Sequence, residues 1–389
     1  MKSAPNEKLA STTGEPTSGR TSGREVSRRH FMLASAAAAA GATLGAWSPG
    51  ARANVGGRLD LMSWEGYSLQ NETARWRGQN GVSVNAAVMS NQDDVTAKLV
   101  GSPVRLDVAE YSNGYNAIYK DLKVLKPIDI GKIPNYNKSD ILARFYDADM
   151  WYWDGQHFAI PWIWGLDTLV YNPKYGKVES HKDLLKPEFK GKLTFVDNPL
   201  TTWPQIALVA GYGDKFPNLT KEELKDCFRR MEPYRKQCRV FAGSNGDVIS
   251  LFASGEIAAC FVVWSAVPLE TAKQNVTTVG ATFKGAGALW ADAWFVPMTS
   301  QNIDTAHAFI NQALSPQVQA DACASTVGGC VNRKAIPLLD AKTRALFDYN
   351  TIDQLLATTP LKGQPPRTSS QYATYADWLQ AWSDFRATV

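Results

Sequence analysis

The chain has 389 residues, with 41 Lys and Arg against 37 Asp and Glu, a net charge of +4 at pH 7 and five cysteines. Seven of the basic and three of the acidic residues fall within residues 1–53, so the rest of the chain carries 34 of each and is neutral. A neutral chain with mixed charges excludes the extended basic surface that binding to nucleic acid or anionic lipid requires. The part beyond residue 53 exceeds one ordinary core, so two domains are expected.

Residues 1–53 have the three parts of an export signal: basic residues, an apolar block and a small-residue cleavage site. Arg28-Arg29 stands before the alanine-rich block Leu33–Trp47, and Ala51-Arg52-Ala53 follows it. The arginine pair followed by Phe31 resembles the twin-arginine signal of bacteria. The block is shorter than the roughly 20 residues of a membrane span, and no cysteine follows it to carry a lipid. We predict a twin-arginine-type signal peptide over residues 1–53, cleaved after Ala53, and a secreted, soluble periplasmic protein with no stable membrane insertion.

Three apolar runs of strand length follow, separated by helical patterns near residues 71–79 and after residue 91. The runs are Leu59–Ser63, Val82–Met89 and Leu106–Glu110. This alternation predicts βα repetition and a largely parallel sheet wrapped by helices. Ligands of such sheets bind beyond the carboxyl ends of the strands, where Trp64 and Tyr111 stand.

A second α/β series begins in the middle of the chain. Its predicted strands are Gly165–Tyr171, Gly191–Val196, Arg239–Phe241, the run Ile257–Val263 and a segment around Leu289–Pro297. Thr220 and Glu223 have the spacing of a capping box at a helix start. The last stretch, Thr368–Ala387, is an amphipathic pattern in which Trp378 and Trp382 share one face, so we expect these two tryptophans to be packing residues.

All five cysteines lie beyond residue 226. An oxidising compartment permits the nearest pairs, Cys227 with Cys238 and Cys323 with Cys330, to form disulfides, and leaves Cys260 unpaired. Five small buried thiols are an equally valid interpretation, because sequence alone does not determine connectivity.

From Leu59 to about Leu339 the order of short motifs resembles the spermidine/putrescine-binding branch of the family 1 extracellular solute-binding proteins of ABC importers. The motifs are Leu61-Met62-Ser63-Trp64-Glu65-Gly66-Tyr67, Ser90-Asn91-Gln92, Leu106-Asp107-Val108, Ile160-Pro161-Trp162-Ile163-Trp164-Gly165, Tyr171-Asn172, Gly191-Lys192-Leu193, Gly255-Glu256-Ile257-Ala258-Ala259 and Leu289-Trp290-Ala291-Asp292-Ala293-Trp294. The order and spacing make the resemblance specific, although each motif alone is weak.

The resemblance implies an α/β, type II periplasmic-binding-protein fold, with two α/β lobes joined by crossover strands and a ligand cleft between them. Residues 54–161 plus 293–330 are expected to form lobe 1, and residues 162–292 plus 331–389 lobe 2. The implied cycle is capture of the ligand, closure of the lobes and recognition of the closed form by an inner-membrane ABC permease. The protein is expected to act as a monomer.

In polyamine-binding relatives the alkyl chain lies among aromatic rings and carboxylates meet the ammonium groups. The positions that match are occupied here by Trp64, Tyr67, Trp264 and Trp290, with Asp292 as the carboxylate and Ser112 as a polar contact. Each ring face attracts an alkylammonium group by about 0.5–2 kcal/mol, and a carboxylate adds a charge-assisted hydrogen bond. The resemblance therefore implies a small cationic amine as the ligand.

The sequence departs from this pattern in the segment 196–202, where Asn198 and Thr201 stand at positions that are usually acidic. A buried ammonium group without a carboxylate is costly, so a ligand with several charged ends requires that Asp197, Glu65 or Glu110 substitute. Asp197 is a further candidate contact for this reason. We keep putrescine or spermidine as the named class of ligand, with a quaternary or zwitterionic amine as the alternative.

Other functions have less support in the residues. An exported cofactor-dependent enzyme fits the twin-arginine signal, but the chain beyond residue 53 has no His-Glu-x-x-His, Gly-x-Ser-x-Gly, P-loop or Cys-x-x-Cys motif. A ferric-ion site requires neighbouring tyrosines, and the sequence has no Tyr-Tyr pair. The acids Asp147, Asp149 and Asp154 could suggest another metal site, but they lack an EF-hand pattern. We therefore predict no catalytic residue, no metal and no cofactor. A receptor that signals through a partner, instead of supplying a transporter, stays open.

Overall fold

Strands and helices alternate along the chain in the computed structural model, which describes residues 54–89, 91–101, 104–359 and 363–387. The strands are β1 (Gly57–Ser63), β2 (Val82–Val88), β3 (Val108–Ser112), β4 (Tyr152–Trp153), β5 (Gln156–His157), β6 (Ala159–Tyr171), β7 (Leu193–Val196), β8 (Cys238–Ala242), β9 (Ala259–Trp264), β10 (Val279–Gly280), β11 (Gly287–Phe295) and β12 (Gly329–Cys330). The helices are α1 (Ala74–Asn80), α2 (Gln92–Gly101), α3 (Asn116–Leu122), α4 (Pro199–Val209), α5 (Lys221–Arg235), α6 (Asn245–Ala253), α7 (Val267–Lys273), α8 (Ile303–Ala313), α9 (Pro316–Thr326), α10 (Ala341–Arg344), α11 (Ile352–Thr358) and α12 (Tyr375–Ala387).

One sheet runs through the molecule in the order β2-β1-β3-β11-β6-β9-β7-β8. At one end β1 pairs in parallel with β2 and β3, and at the other end β7 pairs in parallel with β8 and β9. Between the two parallel groups lie β11 and β6, which are antiparallel to each other and to their outer neighbours β3 and β9. These two strands, the crossover pair, connect two βα units, as the type II fold requires.

The crossover strand β6 contributes to two separate apolar cores. Its first half, Ala159–Trp164, packs with β1, β3 and β11, and its last part, with Leu169 and Tyr171, packs with β7 and α5. The strand is 13 residues long, whereas the sequence pattern predicted a strand only over Gly165–Tyr171. The difference arises because Ile160–Trp164 is buried on both faces and shows no alternation.

The C-terminal part of the chain divides between the two cores. Leu339, Phe347, Ile352 and Leu356 pack into the core that contains β1–β3, whereas α12 packs against α5 through Trp378, Trp382 and Phe385 in the other core. Residues 331–356 therefore pack with the core of predicted lobe 1, although the prediction placed them in lobe 2. The lobe boundaries as such stay a prediction.

Local sequence explains where the helices α4 and α5 begin. Asn198 is the N-cap of α4, and its side-chain oxygen accepts a hydrogen bond from Leu200 N at 3.0 Å, with Pro199 as the first helical residue. Thr220 and Glu223 form the predicted capping box of α5. Within the described ranges, none of the helices combines the length and apolar character that a bilayer span demands. The predicted signal peptide lies outside those ranges.

Candidate functional site

A buried acidic group lies where β3 meets the crossover strand β11. Ser112 and Asp292 are opposite each other in the ladder, and Ser112 Oγ donates to Asp292 Oδ1 at 2.5 Å. Glu110, two residues earlier on β3, lies on the same face, is fully buried and is close enough to Asp292 for the two carboxyls to repel each other. The sequence predicted Ser112 and Asp292 as contacts and named Glu110 only as a substitute.

Aromatic residues hold the Glu110 carboxyl in place. Trp162 Nε1 donates to Glu110 Oε1 at 2.6 Å, and the backbone N–H of Trp64 donates to Oε2 at 3.3 Å. Burial raises the pKa of Glu110 well above its ordinary value of 4.5, and the charge of Asp292 raises it further, because two like charges without water favour the protonated form. Hydrogen bonds from the two tryptophans lower this pKa without cancelling those effects. The raised pKa therefore favours the neutral form of the Glu110 carboxyl in the ligand-free protein.

Aromatic rings line the space around these acids. Tyr67 contacts Trp162 edge to face, with the ring centroids 5.2 Å apart. Burial, Asp292, Glu110 and Asp167 together raise the pKa of Tyr67, so its hydroxyl stays protonated and lies near several carboxylates. Trp64 is half-buried beside the same core. Tyr67 thus lies within electrostatic reach of the predicted carboxylate Asp292, and Trp64 contacts the neighbouring Glu110 through its backbone N–H.

Two more tryptophans, Trp290 on the crossover strand β11 and Trp264 on the adjacent strand β9, complete the set of predicted aromatic residues. Trp290 faces Gly165 across the ladder, and a Cβ atom at Gly165 would lie 2.4 Å from Trp290 Cζ2, so the ring rests directly on that glycine. Trp264 is half-buried and stands opposite Asp167 in the pairing of β6 with β9. Asp167 itself is only 4% exposed. This acid was missed at the sequence level, although a lone acid inside an apolar strand is a usable signal of a buried polar site.

The remaining predicted residues, Asp197, Asn198 and Thr201, lie at the start of α4. The Asp197 carboxylate accepts from Trp382 Nε1 at 2.7 Å and pairs with the Arg386 guanidinium, so both its oxygens are engaged by α12. Asn198 caps the helix, and Thr201 is half-buried in the first turn. Asp197 thus has a packing role and Asn198 a capping role that the sequence did not reveal.

The first turn of α4 still touches the other half of the molecule. A Cβ atom at Gly114 would lie 2.7 Å from Leu200 Cδ1 and 3.1 Å from Gln364 Cγ. Gln364 is 8% exposed, and both atoms of its side-chain amide lack a hydrogen-bond partner among the described residues. Sequence analysis did not identify Gln364, since an isolated glutamine near a chain end carries no pattern.

No group of three or more His, Cys, Asp or Glu side chains suited to a metal ion occurs within the described part of the chain. The loop acid Asp147 instead accepts from His157 Nε2 at 2.7 Å. All five cysteines carry free thiols, so neither candidate disulfide is formed in the structure. Cys323 and Cys330 are in hydrogen-bonding contact, and burial raises the pKa of Cys323 well above its ordinary range.

Taken together, two α/β units joined by an antiparallel crossover pair, with buried acids and aromatic rings on that pair, define a periplasmic substrate-binding protein. The chain belongs to the bacterial extracellular solute-binding protein family, whose model matches residues 73–345. Residues 25–45 match the signal sequence of the twin-arginine translocation pathway. The protein is therefore the periplasmic substrate-binding component of an ABC transporter, exported by the twin-arginine route and partnered by a permease.

Two curated relatives are putrescine-binding proteins. The chain is 26% identical over 313 residues to the putrescine-binding periplasmic protein PotF of Escherichia coli, an alignment covering 74% of this chain and 81% of PotF. It is also 26% identical over 287 residues to the putrescine-binding periplasmic protein SpuD of Pseudomonas aeruginosa, covering 68% and 75%. These relatives are transport components and not enzymes, which confirms the expectation from the missing catalytic motifs.

Solved structures confirm the predicted fold class. The TpPotD lipoprotein of Treponema pallidum superposes with a TM-score of 0.70 at 19% identity, covering 85% of this chain and all of the other. A putative spermidine/putrescine ABC transporter protein from Listeria monocytogenes gives the same TM-score at 20% identity, covering 85% and 98%. Both likenesses show the type II periplasmic-binding-protein fold.

Proposed function

We propose that this protein binds a small cationic amine, in the class of putrescine and spermidine, and delivers it to its permease as a monomer. The observation that carries the proposal is the pair Asp292 and Glu110, two buried carboxyls with a common environment of aromatic rings. Burying such a pair is unfavourable on its own, and a cation between the two acids offsets the repulsion. The names of the putrescine-binding relatives support the same class of ligand.

The aromatic lining accounts for the rest of such a ligand. Methylene groups gain from contact with Trp64, Tyr67, Trp264 and Trp290, and an ammonium group is attracted to the ring faces. Ser112 orients Asp292 by donating a hydrogen bond to its Oδ1 atom. The ligand contacts come from both halves of the molecule, so ligand binding favours the closed form.

The test is a thermal-shift and calorimetric screen of protein purified from the periplasm. The ligands are putrescine, spermidine, choline, betaine and the basic amino acids, each measured with wild type, Asp292→Asn and Asp154→Asn. Asp154 is an exposed acid of the β4–β5 turn, so its variant controls for the loss of one charge. Stabilisation of wild type by a diamine or polyamine supports the proposal.

Loss of the Asp292 charge is expected to reduce the binding free energy of an amine ligand by about 2–5 kcal/mol, which raises its dissociation constant about 30-fold or more. The Asp154→Asn variant should bind as wild type does. Binding of betaine or choline alone would shift the proposal to a quaternary or zwitterionic amine. If no cation stabilises wild type, the amine hypothesis is wrong, although the family and the fold stand.

A further inference from the structure

Asp167 and Asp292 lie on one face of the crossover pair. In the ladder of β6 with β11, Asp292 is opposite Ile163, Trp290 is opposite Gly165, and Ala288 is opposite Asp167. Directly opposed residues of an antiparallel pair share a face, and alternate residues along a strand return to it. The two acids and the Trp290 ring therefore project from the same side of the sheet, with the ring between the acids.

The register gives the length of this arrangement. Ile163 and Asp167 are four residues apart on β6, which is about 13 Å along the strand at about 3.3 Å per residue. An ammonium group lies about 2.8 Å from the carboxylate that it contacts. Two ammonium groups, each held by one acid, are then separated by roughly 7–13 Å.

The surroundings of Asp167 match those of Asp292. Both acids are 4% exposed, and both act on the hydroxyl of Tyr67, which lies within electrostatic reach of each. Trp264 on β9 is directly opposite Asp167 in the sheet. Trp290 on β11 lies between Asp167 and Asp292 along the crossover pair. A carboxylate in a site from which water is largely excluded offers an ammonium group a charge-assisted hydrogen bond, which is stronger than a neutral one.

Two polar groups near Glu110 and Ser112, one on Trp64 and one on Gln364, contain atoms without a hydrogen-bond partner among the described residues. The indole Nε1 of Trp64 is buried without a hydrogen-bond partner, and so are both amide atoms of Gln364. Gln364 lies beside Gly114, two residues after Ser112, which holds Asp292. The indole can therefore donate a hydrogen bond, and the amide can donate or accept one, if a polar ligand comes within reach.

We infer that Asp167 binds the second ammonium group of a linear diamine or polyamine whose first ammonium group lies at Asp292 and Glu110. The inference rests on the proposed function and deepens it, because it gives the ligand a length and two charged ends. Asp167 thereby supplies the charge that the neutral residues Asn198 and Thr201 do not supply at the other side of the cleft. The alkyl chain between the two ends lies on the Trp290 ring.

The test compares Asp167→Asn with Asp292→Asn by calorimetry, using putrescine, cadaverine and spermidine together with butylamine, a monoamine of the same chain length as putrescine. Asp167→Asn should weaken the binding of cadaverine and spermidine at least tenfold. The affinity for butylamine should stay within about twofold of the wild-type value. Asp292→Asn should weaken all of them. Asp154→Asn again controls for the change in net charge, and Asp167→Glu should retain part of the diamine preference.

A second measurement uses wild type alone, so that the inference is testable even if Asp167→Asn does not fold. In a series from ethylenediamine to octanediamine, affinity should rise until the two nitrogens reach both acids and should then fall. A ligand as short as ethylenediamine is too short to reach both. The inference about Asp167 is wrong if Asp167→Asn weakens the binding of monoamines and diamines equally, or if affinity does not depend on diamine length. Either result leaves the proposed function intact. Failure of every amine to bind wild type overturns the proposed function as well.

Discussion

Replacement of Glu110 by glutamine is expected to stabilise the ligand-free protein at neutral pH. Glutamine keeps the shape and still offers an oxygen to Trp162 Nε1, but it carries no charge. Burial and Asp292 raise the pKa of Glu110 above 4.5 in the folded chain. Between pH 4.5 and that raised pKa the unfolded chain has released the proton and the folded chain has kept it, so the free energy of unfolding falls as pH rises.

The size of the effect follows from this linkage. One proton contributes at most about 1.4 kcal/mol per pH unit, so Glu110 lowers the stability of wild type by up to about 3 kcal/mol between pH 5 and pH 7. For a chain of this length, with an unfolding entropy of about 2.1 cal/mol/K per residue, this corresponds to a change in Tm of about 4 °C. Glu110→Gln has no proton to lose and should remove that part of the pH dependence.

The assay is urea and thermal unfolding of ligand-free wild type and Glu110→Gln at pH 5, 6 and 7. Glu179→Gln, at an exposed acid paired with Lys177, serves as the control and should follow wild type. The two chains should agree most closely at pH 5 and diverge as the pH rises, with the variant more stable. The assignment of a raised pKa to Glu110 would be refuted if the free energy of unfolding of the variant fell with pH as steeply as that of wild type. It would also be refuted if the variant were less stable than wild type at pH 7.

Two other substitutions should have opposite signatures. Gly165→Ala places a methyl group within 2.4 Å of the Trp290 ring and must displace it, so calorimetry should show ligand affinity falling at least tenfold; an unchanged affinity would mean that the ring is not part of the site. Trp203→Ala removes a fully buried ring packed at 5.3 Å from Trp378 in the core of α4 and α12. Urea unfolding should show a loss of about 3–5 kcal/mol, with ligand affinity within about threefold of wild type, and a large loss of affinity would place Trp203 in the cleft instead.

Most of the fold could be predicted because its strands follow apolar runs and its helices follow capping patterns. The capping box at Thr220, the α/β alternation and the packing role of Trp378 and Trp382 in α12 are all confirmed by the structure. The core against which each part of the C-terminal segment packs was harder to predict. Local periodicity does not say which of the two apolar cores residues 331–356 will join. That choice depends in part on long-range contacts, such as the packing of Phe347 against Trp164, 183 positions earlier.

The site was only partly visible in the sequence for a similar reason. Ser112 and Asp292, 180 residues apart, were both named, and their hydrogen bond shows that they meet. Asp197 was named as a contact, but its charge is taken by Arg386, a partner 189 residues later. Asp167 was hidden within a long strand, since its face becomes apparent only once the register with β11 is known.

The crossover pair both connects the two βα units and carries the groups proposed to hold the ligand. A substitution on β6 or β11 therefore acts twice, on the contacts with the ligand and on the ease with which the two units move. Because apparent affinity equals intrinsic affinity scaled by the fraction of molecules in the binding-competent form, the two effects multiply in any measured constant. Adaptation of this protein to a new solute, by selection or by design, would alter its mechanical behaviour together with its chemical preference.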